Sequence, residues 1–185
     1  MPTQICCIAP NIFGFTGGIQ IYTRHLIEQL QVILPDAHYT ALLKYDRPGD
    51  MLNSESPIPR VSFYCFGRWP RQIQTIAMVF VLLWLAFRRP DMLFIATHAY
   101  YAKALYVAKR FFKIRYWIVA HGLEVWDVEP GLLQTALRGA DRIAAVSEYT
   151  RQRLIKEQSI PSDRIQLLVN TFDASRIQPA SNPAR

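Results

Sequence analysis

Three short stretches hold residues whose types and spacing could do chemistry. Thr16-Gly17-Gly18 stands just ahead of a run with helical spacing. Its glycines would let an anion approach the unpaired N–H groups that open a helix, where the helix dipole also favours negative charge. His121-Gly122-Leu123-Glu124 closes an apolar, β-prone run. A histidine in such a place can hydrogen-bond a ligand or exchange a proton, and Glu124 and Asp127 add two carboxylates nearby. Asn170-Thr171-Phe172-Asp173 follows the last apolar run, before the chain turns polar and proline-rich. His98 is a further, weaker candidate, whereas His25 and His38 read as a helix-surface residue and the start of a strand.

What the spacing lacks is also informative. The first loop is not G-x-G-x-x-G, and no G-x-x-x-x-G-K-[ST] occurs, so a nicotinamide oxidoreductase is poorly supported. No G-x-S-x-G marks a hydrolase elbow, and no His/Cys spacing suggests a structural zinc. Of the three cysteines, Cys6 and Cys7 share one apolar run and read as packing. An odd, sparse count points to a reducing compartment. The start, MPTQICCIAP, lacks a basic segment and a long apolar run, so no signal peptide is read and a cytoplasmic location is expected.

The elements that must position these loops follow from periodicity. With 185 residues, 51% of them hydrophobic and 19% charged, the chain has the size and composition of one globular domain. Short apolar runs at 4–10, 38–44, 60–66, 91–97, 115–120, 141–146 and 164–169 read as seven strands. Helical spacing separates most of them, over 19–34, 73–87, 100–112, 132–138 and 148–157, with Ser147 placed to cap the last helix. The stretch 45–59, with Pro48, Gly49, Pro57 and Pro59, reads as loop. Strands alternating with helices predict an α/β fold: a Rossmann-like, doubly wound, mostly parallel sheet of about seven strands with helices on both faces. In such sheets ligands bind beyond the carboxyl ends of the strands, where all three loops fall.

The net charge of +7 is unevenly spread. Residues 60–115 hold ten basic side chains and one acid, Asp91, so the whole excess sits in one third of the chain. Such a block attracts anionic partners, or is a solvated face. Arg68-Trp69-Pro70-Arg71 sets a tryptophan between arginines just before an unusually apolar helix, which suggests contact with an anionic membrane surface. The uninterrupted apolar run, 76–87, is too short to span a bilayer and fits a helix buried on most sides or lying in an interface. No nucleic-acid partner is expected.

Four segments in order, T-G-G-I-Q-I-Y-T-R-H-L at 16–26, A-H-G-L-E-V-W-D at 120–127, A-D-R-I-A-A-V-S-E-Y-T-R-Q-R-L at 140–154 and R-I-Q-L-L-V-N-T-F-D at 164–173, resemble the N-terminal half of a family 4 glycosyltransferase. The resemblance implies a GT-B enzyme, in which two Rossmann-like domains face across a cleft. The N-terminal one binds the acceptor, and a C-terminal one binds the nucleotide sugar. Transfer would retain anomeric configuration and need no cofactor or metal. Gly17 and Gly18 would approach the donor diphosphate, and His121 would contact the donor sugar near the reacting carbon. Glu124, Asn170 and Asp173 would complete the substrate-binding set. The acceptor would be a glycan or lipid-linked sugar, and basic and apolar residues here would allow peripheral membrane attachment, as in some relatives. The family's common N-G-V-D is Asn170-Thr171-Phe172-Asp173 here, which keeps Asn170 and Asp173 in register. On this reading residues 1–175 form the N-terminal domain, 176–185 begin an interdomain linker, and the donor-binding domain lies outside the chain. A non-catalytic module binding an anionic membrane or glycan is the alternative.

Overall fold

The computed structural model describes residues 4–15, 17–52 and 58–170. Seven parallel strands form one sheet: β1 (Gln4–Ala9), β2 (His38–Leu43), β3 (Val61–Cys65), β4 (Leu93–Ala96), β5 (Arg115–Ala120), β6 (Arg142–Ala145) and β7 (Ile165–Leu167), in the order β3-β2-β1-β4-β5-β6-β7. The expected strands all form, trimmed by up to a few residues where apolar runs continue past the last ladder bond. The helices are α1 (Gly18–Ile33), α2 (Pro48–Leu52), α3 (Arg71–Arg88), α4 (Ala102–Phe112), α5 (Leu132–Gly139) and α6 (Glu148–Gln158). Short α2 lies inside the stretch read as loop, where Pro48 is tolerated because a first helical turn needs no N–H from it. A 3₁₀ turn, Ala99–Tyr101, leads into α4.

Period-two alternation along β1 sends Cys6 and Ile8 to one core and Ile5, Cys7 and Ala9 to the other. Both cysteines are free and buried; burial pushes the Cys7 thiol up to about 12 and raises that of Cys6 as well, so neither is a nucleophile at neutral pH. The two faces are covered unequally. Helices α3, α4, α5 and α6 pack on the Cys6 side, and α1 lies on the other. Beyond α1, no described element covers that second face over β5–β7, where a groove of about 530 Å³ is lined by residues such as Leu26, Leu30, Trp117 and Leu168.

The chain leaves β1 for α1 on one face and leaves β4 for α4 on the other. Between these neighbouring strands the connections diverge, opening a crevice at their carboxyl ends. The elements that form here set this crevice as the place where a ligand would enter.

The 18-residue helix α3 departs from expectation. By length and composition it could cross a membrane, being longer than its apolar run suggested. Packing argues against this, since Met78, Leu82, Leu85 and Ala86 fill the core beneath it. The helix is not buried on most sides, however: Ile76, Phe80 and Phe87 are 66–70% exposed.

Candidate functional site

The loop after β1 is held by one carboxylate. Asp46, just past β2, is wholly buried and accepts hydrogen bonds from three successive backbone N–H groups: Ile12 at 2.6 Å and Phe13 at 3.1 Å on Oδ2, and Gly14 at 2.7 Å on Oδ1. Consecutive amides converging in this way form an anion-binding nest, here filled from within the chain. A Cβ at Gly14 would stand 3.0 Å from Asp46 Oδ1 and 3.1 Å from Asp50 Oδ2, which accounts for this glycine. Farther along, Gln20 Nε2 donates to Asn11 Oδ1 at 2.7 Å, tying the start of α1 back to the same loop.

With the loop fixed, the helix begins at Gly17, which caps α1 in extended conformation with no capping side chain. Its carbonyl accepts from Ile21 N–H at 3.0 Å. Among the described residues no side chain accepts from the first N–H groups of α1, and these form the helix's anion-binding end. The two glycines differ. A Cβ at Gly17 would come 2.7 Å from Gln20 Oε1 and 2.8 Å from the Phe15 ring, whereas one at Gly18 would meet nothing within 4 Å. Gly18 thus faces open space.

His121 leaves β5 half-buried. Its Nε2 lies 3.0 Å from the Thr97 carbonyl, which can only accept, so Nε2 carries the proton and Nδ1 is the lone-pair nitrogen. Nδ1 has no hydrogen-bond partner among the described residues. Thr97 is itself fixed, its N–H and Oγ1 both donating to the Ile8 carbonyl at 2.9 and 3.2 Å. Tyr22 of α1 packs edge-on against the imidazole, centroids 5.2 Å apart, and donates to the Leu168 carbonyl at 3.3 Å. One ring is thereby tied to β4, α1 and, through Tyr22, the segment after β7. Burial lowers the His121 pKa, aided by His98 and opposed by Glu124 and the Thr97 bond. Burial likewise lowers that of His98, whose Nδ1 accepts from Tyr100 N–H at 3.3 Å. Both rings are neutral at pH 7.

The other expected residues separate. Glu124 Oε1 accepts from His121 N–H at 2.7 Å, so it shapes the turn as well as bordering the site. Gly122 sits at φ +151 with Trp126 only 3.2 Å from a would-be Cβ, so this turn requires glycine. Asp127 does not pair with Glu124: it binds Arg153 at 2.6 Å. Asn170 is exposed beyond β7, while Asp173 and the linker expected over 176–185 lie outside the described residues. Arg68, Trp69 and Arg71 lie at the amino end of α3, apart from His121 in the sheet order. Sequence reasoning missed Asp46, Tyr22 and Thr97. Tyr22 sat in the apolar stripe of α1, and nothing in the local sequence marks the other two. Among the described residues no three His, Cys, Asp or Glu side chains are grouped to hold a metal ion.

The sequence matches the model of Glycosyltransferase Family 4 over residues 16–176. No curated protein sequence gives a significant match. Similar solved structures include HepE from Anabaena in complex with UDP-glucose, with 18% identity and a TM-score of 0.61 over 92% of this chain and 44% of that one. The lipopolysaccharide outer core galactosyltransferase WaaB aligns at 12% identity and a TM-score of 0.65, covering 98% and 50%. Arabidopsis thaliana UGT89C1, complexed with UDP, aligns at 14% and 0.53, covering 97% and 52%. At such identities the likeness is one of fold. The chain spans about half the length of the structures it matches.

Two outcomes follow from this geometry. Asp46→Ala leaves three backbone donors without their acceptor and should destabilise the protein by about 3 kcal/mol, read from urea unfolding. His121 and His98 bind protons less readily folded than unfolded, where their ordinary value is 6.5. Stability should therefore be level above that value and fall as pH drops below it, because the unfolded chain takes up more protons. Thermal melts at stepped pH should show the slope, and His121→Gln should make it shallower; an unchanged slope in that variant would remove His121 as a source.

Proposed function

The chain belongs to glycosyltransferase family 4, and from that premise we propose that it is the acceptor-side half of an enzyme moving a sugar from a nucleotide diphosphate donor to a glycan or lipid-linked acceptor. The observation that carries the reading is the shared edge: an uncapped α1 amino terminus and a fixed, neutral His121 meet the same crevice through Tyr22. The open approach at Gly18 suits a diphosphate, which the α1 N–H groups and dipole would stabilise as negative charge builds on the leaving group. With Nε2–H committed to Thr97, His121 would accept a hydrogen bond from a sugar hydroxyl at Nδ1. Its lowered pKa keeps that lone pair available at pH 7. Retention of anomeric configuration and independence of a metal, which the family resemblance implies, belong to the same proposal. A complementary donor-binding domain would close the crevice, so the 185-residue chain alone would turn over little substrate.

The test is sugar transfer by the whole enzyme, screened against nucleotide sugars. His121→Ala should lower kcat/KM about 10²-fold with folding retained, equivalent to about 3 kcal/mol of transition-state stabilisation. Gly18→Trp, whose Cβ would meet nothing within 4 Å, should raise the donor KM and leave the melting temperature unchanged. Near-normal kinetics in both folded variants would reject the site assignment, and rapid transfer by this chain alone would reject its reading as a half-enzyme.

A further inference from the structure

We propose that the outward face of α3 docks the protein flat on the surface of an anionic lipid bilayer. Its inward residues lie in the core, Met78 being only 2% exposed. On the opposite side Ile73, Ile76, Phe80, Trp84 and Phe87 follow one another at intervals of three, four, four and three, which places them in one stripe. All five are exposed, Phe80 at 70%. Trp69 extends the stripe before the helix begins, and Phe111, 76% exposed, widens it at the far end, where Phe87 and Phe112 pack edge-to-face at 5.9 Å. An apolar strip running the length of an 18-residue helix, about 27 Å, is more than ordinary surface scatter.

Charge selects the occupant. Arg68 and Arg71 stand at one end of the strip, Arg88 and Arg89 at the other, and Arg110 and Lys113 beside Phe111. None of these six forms an ion pair among the described residues. The sole acid between residues 60 and 115 is Asp91. A second copy of the chain fits poorly, because either orientation of two such helices brings arginine ends against arginine ends. An anionic headgroup layer satisfies the basic ends while acyl chains take the apolar strip, and tryptophan suits the boundary between them. Near the carboxyl end, Trp84, Arg88 and Arg89 border a cleft of about 420 Å³ that also presents Thr40 and Ser62, where a headgroup phosphate would be received. The buried inner face keeps the helix in the interface plane. Because α3 returns the chain from β3 to parallel β4, its Trp69 end lies at the sheet's carboxyl edge, the edge that carries Gly18 and His121.

This inference stands apart from the transfer reading, since its test reads lipid binding and no turnover. The full chain is floated with vesicles of phosphatidylcholine alone or with phosphatidylglycerol added. Binding should require phosphatidylglycerol, weaken at least 10-fold between 50 and about 500 mM salt, and be lost in Phe80→Glu and in the pair Arg68→Glu, Arg71→Glu. Circular dichroism should show every variant folded. If Phe80→Glu fails to fold, Phe80→Ser and Phe87→Ser together serve, with the same loss expected. Three results would overturn the proposal: no flotation with anionic vesicles at low salt, equal flotation with neutral ones, or a concentration-dependent dimer in solution that Phe80→Glu dissolves, which would mark the strip as a contact between copies.

Discussion

The carboxylate of Asp46 is the constraint on which the rest of the site depends. Its hydrogen bonds to Ile12, Phe13 and Gly14 join the end of β2 to the loop leaving β1. That loop sets where α1 begins, and α1 brings Tyr22 against His121. Displacing the loop would shift the helix N-terminus and the imidazole's packing partner together. Gly67 reinforces the arrangement from β3: its N–H donates to the Asp46 carbonyl at 2.9 Å, and a Cβ there would lie 2.2 Å from the Tyr45 carbonyl oxygen. Three neighbouring strands thus meet around one short segment, 45–46, to build a loop whose glycines serve different ends. Gly14 makes room for the internal anion, and Gly18 leaves room outside.

The sheet was legible because its strands are short apolar runs bounded by turn residues, and a parallel strand buried on both faces needs little else. Ser147 was legible as a cap for the same local reason, and its Oγ accepts from Thr150 N–H at 3.1 Å. His121 could be singled out by its position after a strand and by resemblance. Its partners could not, since Thr97 lies 24 residues away and its contribution is a backbone carbonyl, which sequence does not distinguish. Asp46 was invisible for a similar reason: it looks like an ordinary loop aspartate until the fold carries Ile12–Gly14 to it. Asp127 looked like a partner for Glu124 because they are close in sequence. In the fold Asp127, at a positive φ of 49, pairs with Arg153 instead.

Helix α3 shows the limit of hydrophobic patterning most plainly. Its residues are apolar almost all round, so periodicity indicates a helix without saying which side meets the core. Topology decides this. The helix must recross β2 and β1 to reach β4, and that path buries Met78, Leu82, Leu85 and Ala86. The opposite side stays outside because no other described element is laid over it. A run read as buried on most sides or lying in an interface is therefore half core and half surface.

The strand order also has a consequence for the chain's birth. β1 precedes the other six strands in the chain, yet it pairs on one edge with β2 and on the other with β4. During synthesis its second edge has no partner until residues 93–96 have emerged, more than eighty residues after β1 itself. Throughout that interval the unpaired backbone and the apolar side chains of 5–9 are open to wrong partners. Parallel pairing across such separations is also slow. The vulnerable period of this molecule is the time taken to translate residues 10–96, of which α3 is the last helix.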